Sequence, residues 1–420
     1  MSNKKQSVLL DQVEQLIQAK IPTEQAEVVR SFARLVYRDI SPEDLNNRND
    51  SDLYGAVLSL WHTFSANLQT EPSIRVFNPE LSQHGWQSNH TVVEIVTADQ
   101  PFLVGSVRMA LNRLGIAAHW LLYQSISIEA DKQGEIKSIC TSQSSANENR
   151  RTVFLIEIDR QSDKARLDVI EKTISDVLTQ VNLTVSDWQA MQQKCLQIID
   201  ELKNVPKQVA KHQVEEAKAF LSWMADGKYT FMGYREYKLE AVKGDHSLSR
   251  LNETSLGLMK NSSGKDARLL SEMPASAKTQ ALSNDLMVLT KTNRKSQVHR
   301  PAYMDYVGIK IFDKKGQVAG EHRFIGLFSS DFYNDSVFDI PLIKDKVNRV
   351  IENTGFDKGT HSNKAIQNIL ETYPREEILH AKEHEISQIA LGIMQMQERG
   401  ISRLFVRKDI YGRYFSCMAF

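Results

Sequence analysis

Cysteine is scarce: three residues (Cys140, Cys195, Cys417) in 420, far apart and without a CxxC pair. An odd, scattered set excludes a disulfide framework and a cysteine-based metal site, and it points to a reducing cytoplasmic compartment. Charge of one sign is lacking too. Fifty-two Lys and Arg balance 52 Asp and Glu, which removes the bulk attraction that nucleic-acid or anionic-membrane binding uses. No uninterrupted apolar run reaches the roughly 18 residues of a membrane span, and the start Met1-Ser2-Asn3-Lys4-Lys5-Gln6 has no apolar leader core. What is present is the composition of a globular chain, 41% hydrophobic and 25% charged. At roughly 150 residues per domain the length suggests about three compact units.

The usual catalytic motifs are missing as well. There is no GxGxxG after a strand, no GxxxxGK[ST], no HExxH and no GxSxG. His380-Ala381-Lys382-Glu383-His384 matches the letters HxxEH with its histidines one helical turn apart, but zinc needs a third ligand and a water-excluding cleft. With Lys382, Glu383 and Glu385 beside them, the pair reads as the solvated face of a connector helix. No catalytic, cofactor-binding or metal-ligating residue is assigned.

The first 75 residues read as a helical segment. Leu9, Val13, Leu16 and Ile17 recur at helical spacing, Ser41-Pro42-Glu43-Asp44 has the serine, proline and acids of a helix start, and Leu53, Val57, Leu60, Trp61 and Phe64 form an apolar stripe. Over 76–183 the order is strand (Thr91–Thr97), helix (Leu103–Leu114), strands near 117–129, 135–141 and 152–159, then a helix from Ala165. That is the order of a split βαβ, ferredoxin-like α+β sandwich with helices on one face of an antiparallel sheet. Residues 184–227 form a helical connector in which Trp188, Met191, Cys195, Ile198 and Leu202 step 3-4-3-4, and the same steps return after Pro206. An antiparallel helical hairpin is expected there, with an intermolecular coiled coil as the alternative. A second α/β unit covers 228–356 with a long polar insertion at 241–284, and 357–400 is helical again. Residues 401–420 give one hairpin around Asp409-Ile410-Tyr411-Gly412, which reads as the start of a further, truncated unit.

The one candidate binding feature is the turn Asp99, Gln100, Pro101, Phe102, Leu103, Val104, Gly105. Asp99 can cap the following helix, Pro101 can preset its first turn, and backbone N–H groups there face any anion. In small βαββαβ regulatory modules this turn binds amino acids, usually at an interface between two modules. Glycine usually follows the proline; here Phe102 crowds the place. Arg300-Pro301 and Arg323 could form a basic spot, with surface salt bridging as the plainer reading, and Phe231-Met232-Gly233-Tyr234 and Gly326-Leu327-Phe328 read as core strand.

Phe231-Met232-Gly233-Tyr234-Arg235-Glu236-Tyr237 resembles a strand of the large bacterial NAD-dependent glutamate dehydrogenases. Met304-Asp305-Tyr306-Val307-Gly308, Arg323 to Ser329, Tyr373 to Leu379, Arg403 to Asp409, Tyr37-Arg38-Asp39 and Pro101 to Val107 are similar to further landmarks of that family, in order along the chain. Gly105 departs from it, since the family tends to carry an acidic residue there. The resemblance implies an N-terminal helical segment followed by tandem ACT-like domains joined by helical connectors, acting as the regulatory and assembly part of a homo-oligomeric cytoplasmic enzyme. It implies NAD as the whole enzyme's cofactor, a catalytic part of the same chain beyond residue 420, and an amino-acid effector. The alternative is a free-standing ACT-type amino-acid sensor or oligomerisation module.

Overall fold

The computed structural model describes residues 2–41, 43–45, 48–66, 72–131, 135–140, 150–409 and 411–420. The chain mixes helix and sheet, and it divides into two compact units. The first holds Met1–Asn182 together with Gln297–Pro301; the second holds Leu183–Ser296 and Ala302–Phe420.

The first unit begins with α1 (Ser2–Lys20), α2 (Thr23–Val36) and α3 (Asp50–Ala66). Ser41 receives the Asp44 N–H on Oγ at 3.3 Å, so it closes a turn, but the helix expected there begins only at Asp50; Pro42, Asn46 and Asn47 lie outside the described residues. Next come β1 (Ser73–Phe77), α4 (Leu81–His84), β2 (Thr91–Ala98), α5 (Leu103–Arg113), β3 (Ala118–Ala130), β4 (Ile136–Cys140), β5 (Arg150–Ile158) and α6 (Lys164–Ser186). The strands form one antiparallel sheet in the order β1-β2-β5-β3-β4. Helix α5 therefore carries the chain from β2 over β5 to β3.

Besides α5 and α6, the helices of the N-terminal segment also pack on this sheet. Val92, Val96, Trp120, Leu122, Val153 and Leu155 pack with Phe32, Leu53, Trp61 and Phe64 of the N-terminal helices. The alternate residues Val93, Ile95, Phe154 and Ile156 are also fully buried, as are Val107 and Leu111 of α5 and Ile170 and Ile174 of α6. The physical reason is in β2 itself, buried at every residue from Thr91 to Thr97: a strand apolar on both sides needs cover on both sides.

The second unit contains α7 (Trp188–Glu201), α8 (Lys211–Trp223), β6 (Tyr229–Val242), β7 (Asp245–Gly257), β8 (Ala267–Leu269), α9 (Ala275–Leu282), β9 (Met287–Lys295), β10 (Tyr303–Phe312), β11 (Val318–Phe328), α10 (Ser330–Asn334), α11 (Ile343–Asn353), α12 (His361–Thr372), α13 (Arg375–His380), α14 (Glu383–Arg399), β12 (Leu404–Lys408) and β13 (Phe415–Ala419). Helices α7 and α8 pack as a hairpin: Gln192 reaches the Ala225 carbonyl and Cys195 the Leu221 carbonyl. Cys195 is buried, and burial pushes its thiol up to about 12.

Six strands form an antiparallel sheet in the order β8-β7-β6-β11-β10-β9. The polar 241–284 segment is not a loose insertion. It turns at Lys243-Gly244 and runs back as β7 along β6, with Val242 opposite Asp245 and Tyr237 opposite Arg250. One core joins Phe231, Tyr234, Val307, Phe324 and Phe328 to Phe220, Val347, Ile366, Leu370, Ile386 and Ala390 of the helices. The HxxEH letters do not share a helix: α13 ends at His380 and His384 lies in the first turn of α14. Among the described residues, no group of three or more His, Cys, Asp or Glu could hold a metal, and no helix is long and apolar enough to cross a membrane.

Candidate functional site

Asp99 does not cap the helix that follows it. Its carboxylate accepts from Thr152 Oγ1 at 2.7 Å and pairs with Arg150 at 3.3 Å, which ties the turn to β5. Gln100 donates to Asn182 Oδ1 at 3.1 Å, and Pro101 is exposed. Helix α5 opens at Leu103 behind Phe102, whose φ of 72° lies in the left-handed region. Proline followed by a positive-φ residue is the pattern of a type II turn, in which glycine is the usual second residue. Leu103 is buried, while Val104 and Gly105 are half-buried.

The turn is occupied by peptide. Gln297–Pro301, the tip between β9 and β10, belongs to the first unit. The His299 ring packs on Phe102 with centroids 4.8 Å apart. The His299 main-chain N–H donates to Ser106 Oγ at 3.1 Å, and the same hydroxyl donates to the Phe102 carbonyl at 2.7 Å. A Cβ on Gly105 would stand 2.7 Å from the His299 carbonyl oxygen, inside any allowed contact. Val298 is fully buried, Gln180 donates to Gln297 Oε1 at 3.3 Å, and Ser296 N–H bonds Ala302 O at 2.8 Å across the neck of the tip. Partial burial and the neighbouring Arg300 lower the His299 imidazole from its ordinary value, and the ring packs on Phe102 as an aromatic.

Sequence reasoning singled out 99–105 but missed both His299 and Ser106. It also missed a second copy of the turn. Asp339-Ile340-Pro341-Leu342-Ile343 repeats the Asp-x-Pro pattern and again places the residue after proline at positive φ, 68° for Leu342, before a helix. That repeated pattern was the available signal. Leu342 faces a cavity of about 280 Å³ lined also by Glu216, Lys346, Arg349 and residues 286–289 of the sheet edge. Its cations are already engaged. Lys346 gives its three donors to the carbonyls of Ile378, Leu379 and Ala381 at 2.9, 3.0 and 2.9 Å, and Arg349 binds Glu383 at 2.6 Å.

The other basic candidate is engaged too. Arg323 lies over the rings of Tyr237 and Tyr306, at 3.8 and 4.9 Å, above Glu321. In the first unit a cavity of about 430 Å³ is lined by Arg48, Trp86, His90 and Glu157. There Arg48 forks onto the buried Glu157 at 2.8 and 2.7 Å and stacks on Trp120 at 3.8 Å.

Neither turn offers a dinucleotide cradle: the first is filled by the His299 main chain, and the second, residues 339–346, contains no glycine.

Residues 32–174 match the family model described as "Glutamate dehydrogenase, ACT1 domain", and residues 340–399 match "Glutamate dehydrogenase, helical motif 1". Proteins named NAD-specific glutamate dehydrogenase are similar over nearly the whole chain. The one from Halomonas elongata is 34% identical over 98% of this chain and 26% of its own length. The one from Pseudomonas aeruginosa is 37% identical over 93% of this chain and 24% of its own. A more distant relative from Mycobacterium tuberculosis is 21% identical over 78% and 19%. The chain thus spans about a quarter of the length of the relatives it matches. Matched in this way almost end to end, it belongs to the NAD-specific glutamate dehydrogenase family as that family's N-terminal region.

Proposed function

We propose that this chain is the regulatory and assembly segment of an NAD-dependent glutamate dehydrogenase. The whole enzyme would convert L-glutamate, NAD and water to 2-oxoglutarate, ammonia and NADH in the cytoplasm, as a homo-oligomer. NAD and the reacting amino acid would be held by a catalytic part of the same polypeptide outside these residues.

The observation that carries this reading is the extent of the match: 93–98% of this chain against 24–26% of each of the two nearer relatives. The order β1-β2-β5-β3, with α5 crossing over β5, supports an ACT-like sandwich whose outer strand comes from the N-terminal side. The second sheet, closed by α11, and the β12–β13 ribbon are read as a second and the start of a third such domain. Domains of this kind act through differential contacts, in which an amino-acid effector biases a distant site by binding one arrangement better than another.

The test is enzymatic. The 420-residue chain alone should form no NADH from glutamate, while the full-length protein should; turnover by this chain alone would end the proposal. Deleting roughly residues 1–225 from the full enzyme separates the two roles. A lost effector response with assembly intact supports regulation, and lost assembly with an unchanged response leaves a scaffold.

A further inference from the structure

We propose that residues 297–301 are a built-in occupant of the Asp99–Ser106 turn, so that any small ligand of that turn must first displace the His299 main chain. The inference deepens the regulatory reading and rests on it for its meaning in the enzyme.

Three features of the contact carry it. Gly105 is the first: backbone approaches backbone so closely that a Cβ would meet the His299 carbonyl at 2.7 Å. A carbonyl cannot swing aside as a flexible side chain could, so glycine is required by the occupant and not by the helix. Ser106 is the second. It is fully buried, and its hydroxyl both receives the His299 N–H at 3.1 Å and donates to the Phe102 carbonyl at 2.7 Å. An N–H presented to this hydroxyl is what the ammonium group of a free amino acid would also present. The third is strain on both partners. Phe102 has φ 72° and His299 φ 71°, two of the four non-glycine residues at positive φ among the described residues, and their rings meet at 4.8 Å. Non-glycine residues persist in that region only where their surroundings over-determine them.

The bond from Ser296 N–H to Ala302 O at 2.8 Å closes the neck of the tip beside the Lys295–Tyr303 pair that ends the β9–β10 ladder. An ordinary hairpin tip needs none of these features. The chemistry the socket reads is a main-chain amide and carbonyl in a left-handed bend. A free amino acid offers a comparable donor and acceptor, which makes the two competitors for one place.

Hydrogen exchange on the intact 420-residue chain tests this, using wild type, Gly105→Val and Ser106→Ala, with each proteinogenic L-amino acid added singly. In wild type the His299 amide should exchange at least about tenfold more slowly than an unstructured amide. Both variants should lose that protection while β2 and β10 keep theirs. Ser106→Ala adds no bulk and stands in should Gly105→Val not fold. An amino acid that protects 99–106 should speed exchange in 297–301. A wild-type tip exchanging at the unprotected rate, or an amino acid protecting both segments at once, overturns the proposal. Loss of tip protection in Ser106→Ala, with an unchanged effector response in the full-length enzyme, upholds the seating and overturns its regulatory meaning.

Discussion

The carbonyl oxygen of His299 stands 2.7 Å from where a side chain on residue 105 would begin, so the two backbones fit together only because Gly105 has none. Glycine within a helix is ordinarily a cost, and its replacement by alanine ordinarily gains about 1 kcal/mol. Gly105→Ala should reverse that sign and destabilise the first unit by about 1–3 kcal/mol, the usual cost of overpacking. Urea unfolding of the 420-residue chain reads the difference; a stabilised variant would contradict the contact.

Lys243 gives the opposite case. With Gly244 it forms the two-residue loop between β6 and β7, at φ 45° and 83°. Two positive-φ residues in a hairpin loop make the type I′ geometry, which Asn-Gly fits best. Lys243→Asn should therefore stabilise by about 0.5–1 kcal/mol, read as a raised Tm of the second unit.

Arg48 and Glu157 form a charge pair whose carboxylate side is nearly enclosed, at 23% and 5% side-chain exposure. Arg48→Met would keep a stem over Trp120 but strand Glu157, leaving it, among the described residues, His90 Nδ1 at 3.4 Å and Ser88 Oγ at 3.4 Å. The expected loss is about 2–3 kcal/mol, trimmed for the partly exposed arginine. Adding Glu157→Gln to that background should recover part of it, and a denaturant double-mutant cycle checks this.

Acid should weaken the second unit through His322. The ring is buried with Nδ1 on the Tyr234 hydroxyl at 2.8 Å, and burial together with Lys194 holds it at about 4 despite Glu201 at 3.2 Å. The unfolded chain takes up a proton near the ordinary histidine value of 6.5 while the fold refuses it, so stability falls as pH drops from 6.5 through about 4. At its steepest the slope is about 1.4 kcal/mol per pH unit. Asp305 acts with the opposite sign. Its burial raises it above the ordinary aspartate range despite Lys291 at 2.7 Å, so its contribution is full at low pH and is lost as pH rises. The difference between wild type and His322→Asn, followed by urea midpoints from pH 7 to pH 4, isolates the histidine.

How far the sequence could be read follows from where each signal lies. The β2 strand and α5 were legible because the Val-rich run and the 3.6-residue spacing of Leu103, Val107, Ala110 and Leu111 are local patterns. The β7 strand was not, since its residues are polar and mostly half-buried, and it owes its form to the partner β6. Asp99 was misread as a cap because cap residues and strand-end residues that pair across a sheet share one chemistry; only the neighbouring Thr152 and Arg150 decide between them. The turn was visible in the sequence, but its occupant was not. No periodicity links position 106 to position 299.

That separation has a consequence for biosynthesis. Ser106 and His299 lie 193 positions apart, and the tip is an integral piece of the first unit. A ribosome that has released residues 1–182 has therefore delivered the sheet and its helices with the Phe102–Ser106 surface still bare. At typical elongation rates the plug emerges roughly 6–24 s later. Over that interval the nascent chain displays a socket without its key, open to chaperones or to any small molecule that fits.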